Sequence, residues 1–183
     1  EGQEPAAGFD PLAFMIAECH ARGLDFHAWV NPFRATLNLE TEQLADTHAY
    51  WQHHDWMVRY GGKYYFNPGI PAVREHIKQV VAEIVQGYDV DGIHLDDYFY
   101  PYPEDGEVFK DLGTYAAYGG QFESRSAWRR ANIDSLITSL SALVHKTKPW
   151  VQFGVSPFGV WRNQDDDPRG SATYANNRSY DDL

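Results

Sequence analysis

One cysteine, Cys19, occurs in 183 residues. That excludes a disulfide framework and any zinc site built on cysteines. No apolar run reaches the roughly 20 residues that a membrane-spanning helix needs. Basic residues are scarce: 15 Lys and Arg stand against 26 Asp and Glu, for a formal net charge of -11. Without a basic stripe, nucleic acid is excluded as a partner. The same balance disfavours a strongly anionic substrate and suits a neutral or weakly charged one. A Gly-rich phosphate loop, a GxSxG elbow and an HExxH helix are all missing. The opening EGQEPAAGF has none of the regions of a signal peptide.

Aromatic residues, in contrast, are plentiful: 6 Trp, 12 Tyr and 10 Phe. Hydrophobic residues at 43% and charged ones at 22% describe a folded globular chain. The length fits one ordinary domain. It is short of the roughly 250 residues typical of a complete (β/α)₈ barrel.

The chain repeats one grammar. Asp10-Pro11 caps and opens a helix with Leu12, Met15, Ile16 and Cys19 on its apolar stripe, and Gly23 stops it. The strand LDFHAWV (Leu24 to Val30) follows. Pro71 opens a second helix, striped by Val73, Ile77, Val80, Val81, Ile84 and Val85 and ended by Gly87, before the strand VDGIHLD (Val90 to Asp96). Ser124 caps a third, with Trp128, Leu136, Ile137, Leu140, Leu143 and Val144 inward, before WVQFGVS (Trp150 to Ser156). Alternating helices and strands of this kind predict an α/β fold with parallel strands in the order of the sequence.

The links are lopsided. Helix-to-strand links are short. Strand-to-helix links run to roughly 40 residues after Val30 and roughly 27 after Asp96, far beyond the usual range. Long loops at the C-terminal ends of parallel strands are where α/β enzymes build their sites. These loops hold Phe33, Tyr50, Trp51, Trp56, Tyr60, Tyr64, Tyr65 and Phe66, then Tyr98, Phe99, Tyr100 and Tyr102, and Phe158 and Trp161 follow the last strand. Sugars present apolar C–H faces that pack on aromatic rings, while their hydroxyls need polar partners. About half of these rings are expected to pack the loops instead.

Period-two alternation sets Ile93 and Leu95 toward the helices, and His94 and Asp96 toward the opposite face with Trp29 and Asn31. Asp96 is then an inward carboxylate at the C-terminal end of a strand, a position that reads as catalytic in this fold. A cap on the turn at Asp97-Tyr98 is the other reading. Trp29 suits the floor of a sugar subsite and Asn31 a hydroxyl partner. Arg34 is placed either to orient Asp96 or as a solvated loop cation. The third strand adds Gln152, Gly154 and Ser156 on one parity. His27, His94 and Asp96 lack the spacing of any strong metal motif, so neither metal nor cofactor is expected. Asp96 and Asp97 point to opposite faces, so a glycosidase carboxylate pair must draw on two strands or loops.

Five motifs in order, HAWVNPFR (27–34), NPGIP (67–71), DVDGIHLDDYFYP (89–101), WRRAN (128–132) and FGVSPFGVWRN (153–163), resemble the glycosyl hydrolase-like 10 family of bacterial envelope proteins. Phe33 and Leu95 stand where that family often has Tyr and Phe. The resemblance implies a TIM-barrel catalytic domain and a cell-envelope glycan substrate, with peptidoglycan strands foremost. It also implies export to the periplasm or envelope, as a secreted protein or lipoprotein. Its active-face motifs fall on Asn31, Arg34, Asp96, Asp97, Tyr98, Ser156 and Trp161.

The three strands resemble the third to fifth of that barrel. Residues 1–183 are therefore expected to be part of a single (β/α)₈ domain, truncated at both ends, with self-association through the sheet edges. Asp96 and Asp97 are the candidate catalytic residues. Trp29, Asn31, Arg34, His94, Tyr98, Ser156 and Trp161 are the candidate glycan contacts. A glycan-binding module without catalysis and a metal-dependent barrel hydrolase are the competing functions.

Overall fold

A computed structural model describes residues 5–96, 98–102, 104–157, 164 and 167–170. Three short strands form a parallel sheet: β1 (His27–Val30), β4 (Gly92–Leu95) and β5 (Gln152–Val155), in the order β1-β4-β5. Each is preceded by a helix: α1 (Pro11–His20), α3 (Pro71–Gly87) and α5 (Arg125–Thr147). The expected order and parallel sense are those observed. Among the described residues the sheet has no further strand and does not close into a barrel.

The strands are shorter than the apolar runs suggest. The first begins at His27, and Leu24 is exposed. The reason lies in Asp91, whose Oδ2 accepts from the Phe26 N–H at 2.7 Å and from the ring of His20 at 2.8 Å. This knot fixes the entry into β1 and β4, so regular pairing starts only beyond it.

Local chemistry sets the helices. Asp10 caps α1 by accepting from the Leu12 and Ala13 N–H groups, and Ser124 caps α5 by accepting from Ala127. Val73, Ile77, Val81 and Val85 of α3 and Leu136, Leu140 and Val144 of α5 are buried against Ile93 and Leu95. Met15, expected on the inner stripe of α1, is exposed instead; Ile16 alone is buried there, with Leu12 half-buried. Cys19 is half-buried.

The long loops are structured. After β1 the chain makes a one-turn helix α2 (Ala49–Gln52) and an antiparallel hairpin of β2 (Met57–Tyr60) and β3 (Lys63–Phe66). Its two-residue turn, Gly61-Gly62, has φ of 54° and 70°, the left-handed conformation that tight hairpins require and glycine adopts freely. After β4 a short helix α4 (Leu112–Tyr118) precedes α5. No helix among the described residues is long and apolar enough to cross a membrane.

Candidate active site

Pairing fixes which side chains share a face. Trp29 lies beside His94, and His94 beside Gly154; Ala28, Ile93 and Phe153 form the neighbouring row. Ala28 and Ile93 are buried toward the helices, while Trp29 is 73% exposed on the opposite, open face. The glycines are shaped by this face. A Cβ on Gly92 would lie 2.7 Å from the His27 ring, and one on Gly154 would touch His94 at 3.5 Å.

The ladder continues past β4, since the Ser156 N–H donates to the Leu95 carbonyl. Ser156 Oγ and His94 Nε2 are 2.7 Å apart, which joins two neighbouring strands on the open face. Alternation carries Asp96 to that face, one step beyond His94. Asp96 is 8% exposed. Its Oδ1 accepts from the Tyr98 N–H at 3.2 Å, so it closes the following turn as well as presenting a carboxylate at the strand's end.

Asn31 Oδ1 accepts from the Arg34 N–H at 3.1 Å, and Arg34 pairs in an isolated antiparallel bridge with Tyr65. Arg34 is exposed beside this bridge. Burial pushes the Tyr65 phenol up, with the Arg34 charge opposing it. The structure thus brings Trp29, His94 and Ser156 onto one face, with Asp96 following on it, and ties Arg34 to Asn31 and Tyr65. Tyr98 is exposed, with its ring 5.0 Å from that of Tyr102. Asp97 and Trp161 lie outside the described residues.

The aromatic residues divide. Phe33, Tyr50, Tyr60, Tyr65, Phe66, Phe99 and Tyr100 are buried, whereas Trp29, Trp51 and Tyr98 are exposed. Tyr60 was expected only as one ring among many, yet it holds the two long loops together. Its hydroxyl donates to the Tyr102 carbonyl at 3.0 Å and accepts from the Glu104 N–H at 2.7 Å. The Gly-Gly turn between alternating residues is the sequence signal for the hairpin that carries it. The partners across 42 and 44 residues left no such signal. Among the described residues, no group of three or more His, Cys, Asp or Glu is placed to hold a metal ion.

The face is chemically suited to a sugar: an exposed indole for the ring's C–H side, amide, imidazole and hydroxyl groups for its hydroxyls, and a nearly buried carboxylate. The sequence profile of the family described as Glycosyl hydrolase-like 10 matches residues 1–183. The chain is 47% identical over 185 residues to the glycosyl hydrolase YngK of Bacillus subtilis (strain 168), covering all of this chain and 36% of that protein. It is 43% identical over 181 residues to the glycosyl hydrolase DigH of Escherichia coli (strain K12), covering 94% of this chain and 40% of that protein. Among solved structures, the α-L-fucosidase isoenzyme 2 of Paenibacillus thiaminolyticus superposes with a TM-score of 0.57 at 17% identity, over 88% of this chain and 25% of that one. The fold is therefore that of part of a TIM barrel.

Proposed function

The chain belongs to the glycosyl hydrolase-like 10 family, and from that premise we propose that it forms part of the active face of a glycoside hydrolase. It spans 36% of YngK and 40% of DigH, so the proposal concerns the whole protein. One observation carries it: Asp96, 8% exposed, ends the central strand of the parallel sheet on the face that also holds Trp29, His94 and Ser156.

Glycoside hydrolysis needs two carboxyl groups flanking the scissile bond, one to protonate the leaving oxygen and one to attack or to activate water. Asp96 is assigned one of these roles. The second carboxylate comes from another strand or loop; Asp97 is the alternative to Asp96 within the motif, not its partner. Trp29 stacks on a sugar ring. Asn31, Arg34 and Tyr98 line the remaining subsites, and the family motif adds Trp161 as a glycan contact. His94 and Ser156, joined at 2.7 Å, hold each other in place and bond sugar hydroxyls. We assign the substrate to the bacterial cell envelope, with peptidoglycan strands foremost, and the protein to the periplasm or envelope. The relatives' names and the aromatic-polar face support the hydrolase; the envelope substrate and location rest on the resemblance of the motifs alone.

Release of new reducing ends from purified peptidoglycan strands by the full-length protein tests it. Activity that vanishes in Asp96→Asn supports the hydrolase. Binding of the strands without turnover, unchanged in Asp96→Asn, would make the protein a glycan-binding module.

A further inference from the structure

Two segments of the proposed active face leave the sheet separately: Asn31 and Arg34 follow β1, and Asp96 follows β4. The hairpin of β2 and β3 is bonded to both. On the Arg34 side the joint is mostly main chain. The Phe66 N–H donates to the Phe33 carbonyl at 2.8 Å, the Ala35 N–H donates to the Tyr64 carbonyl at 3.0 Å, and Arg34 bridges to Tyr65. Thr36 Oγ1 accepts from the Tyr64 N–H at 3.0 Å. On the Asp96 side the joint is made by side chains. The Tyr60 hydroxyl donates to the Tyr102 carbonyl at 3.0 Å and accepts from the Glu104 N–H at 2.7 Å. Glu107 Oε2 accepts from the Gly61 N–H at 2.9 Å.

The far end of the loop that leaves Asp96 is fixed to α5. Arg129 is buried and clamps Asp111, which is fully buried, through Nε at 2.7 Å and Nη2 at 2.8 Å. Nearer Asp96, Phe99 and Tyr100 are buried. Burial is non-directional, whereas the Tyr60 hydroxyl ties the main chain of this loop with two oriented bonds. The tie lies close to the carboxylate. The Tyr102 ring is 5.0 Å from that of Tyr98, and the Tyr98 N–H donates to Asp96 Oδ1 at 3.2 Å. Tyr60 itself is 4% exposed, set edge to face against Tyr65 and Phe109. Burial pushes its phenol up, so the hydroxyl keeps the proton it donates.

We infer that Tyr60 is a positioning residue: through its hydroxyl the hairpin braces the Asp96 loop against the Arg34 segment and sets where the Asp96 carboxylate stands. The inference rests on the hydrolase reading and gives Tyr60 no contact with the sugar.

Tyr60→Phe in the full-length protein keeps the ring and removes only the hydroxyl's bonds. Hydrogen exchange reads the brace without substrate. The amides of Tyr98 and Glu104 exchange about tenfold faster in the variant, and those of β1 and β4 are unchanged. Single-turnover release of reducing ends from peptidoglycan strands falls about tenfold, less than the roughly 10²-fold that a 1 Å misplacement can cost. Strand affinity stays within about twofold, because Trp29 and its face are untouched. Val58→Ala is the control. It thins the buried side of the same hairpin and spares the hydroxyl, so the melting temperature falls while the rate stays within about twofold. In the Asp96→Asn protein, adding Tyr60→Phe slows residual turnover no further, as expected of a residue acting through that carboxylate. Unchanged exchange at Tyr98 and Glu104, unchanged turnover in Tyr60→Phe, an equal rate loss in Val58→Ala, or a further loss on top of Asp96→Asn would each overturn the inference. The two proposals fail separately. A loosened loop in a protein whose wild type releases no reducing ends counts against the hydrolase alone; turnover lost in Asp96→Asn and intact in Tyr60→Phe counts against the brace alone.

Discussion

At the N-terminal ends of the strands, polar groups tie links and helix ends together; at the C-terminal ends they gather on the face turned away from the helices. At the first end, Asp91 accepts from Phe26 and His20, Tyr88 donates its hydroxyl to Asp10 at 2.9 Å, and Lys148 donates to the Tyr88 carbonyl at 2.8 Å. Each bond ties a helix terminus or link to a strand's start. At the other end, Trp29 is exposed, His94 and Ser156 hold one another, and Asp96 follows them on the same face. One sheet thus divides its labour between its two ends. Polar residues at one end serve the fold, and those at the other line the face proposed for the ligand, the partition expected of (β/α) barrels.

The comparison breaks most visibly if the layer between the two ends is removed. Leu95 is fully buried beneath Asp96. Leu95→Ala in the full-length protein costs about 3 kcal/mol from lost burial and the cavity left behind, read by denaturant unfolding, and activity falls with stability. Next comes Trp29→Ala. Because Trp29 is 73% exposed, stability changes by no more than about 0.5 kcal/mol. Glycan affinity nevertheless drops about tenfold, the loss of one aromatic platform. A stability loss like that of Leu95→Ala would erase the distinction between the two faces.

The smallest effect sharpens the lower end. The hydrogen bond to Asp91 raises the His20 pKa. The Phe26 N–H, and then His20, lower that of Asp91. His20 therefore contributes fully below its unfolded value of about 6.5, and the contribution fades as pH rises through the higher folded value. Asp91 contributes above its unfolded value of about 3.9 and fades as pH falls through the lower folded value. The pair is strongest between roughly pH 4 and 6.5. His20→Gln flattens the decline in melting temperature on the alkaline side of that window without altering glycan binding. A parallel loss of activity would show that the lower end is not purely structural.

Much of this was legible in the sequence, and the reasons are local. Asp10-Pro11 and Ser124 announce helix starts through caps that depend on neighbouring residues alone. Ile93, His94 and Leu95 announce their faces through alternation. The Gly61-Gly62 turn was equally local, and the hairpin it makes was hidden only inside a loop too long to expect order. Three features depend on partners far along the chain. The Asp111–Arg129 clamp spans 18 residues, Tyr60 reaches Tyr102 across 42, and Asp91 reaches Phe26 across 65. No period or cap encodes such pairs. Met15 misled for a related reason: helical spacing marks an apolar stripe, whereas the packing partner decides which part of it is buried.

The central claim is that the Asp96 carboxylate does chemistry that the surrounding face only supports. Its most direct test is single-turnover release of reducing ends from peptidoglycan strands, with strand binding measured on the same samples, for the full-length wild type and Asp96→Asn. Turnover is expected to fall at least about 10³-fold, as for removal of an essential catalytic group, with strand affinity and melting temperature retained. Turnover within a few-fold of wild type in Asp96→Asn would contradict it and leave Asp96 as the cap of the Tyr98 turn.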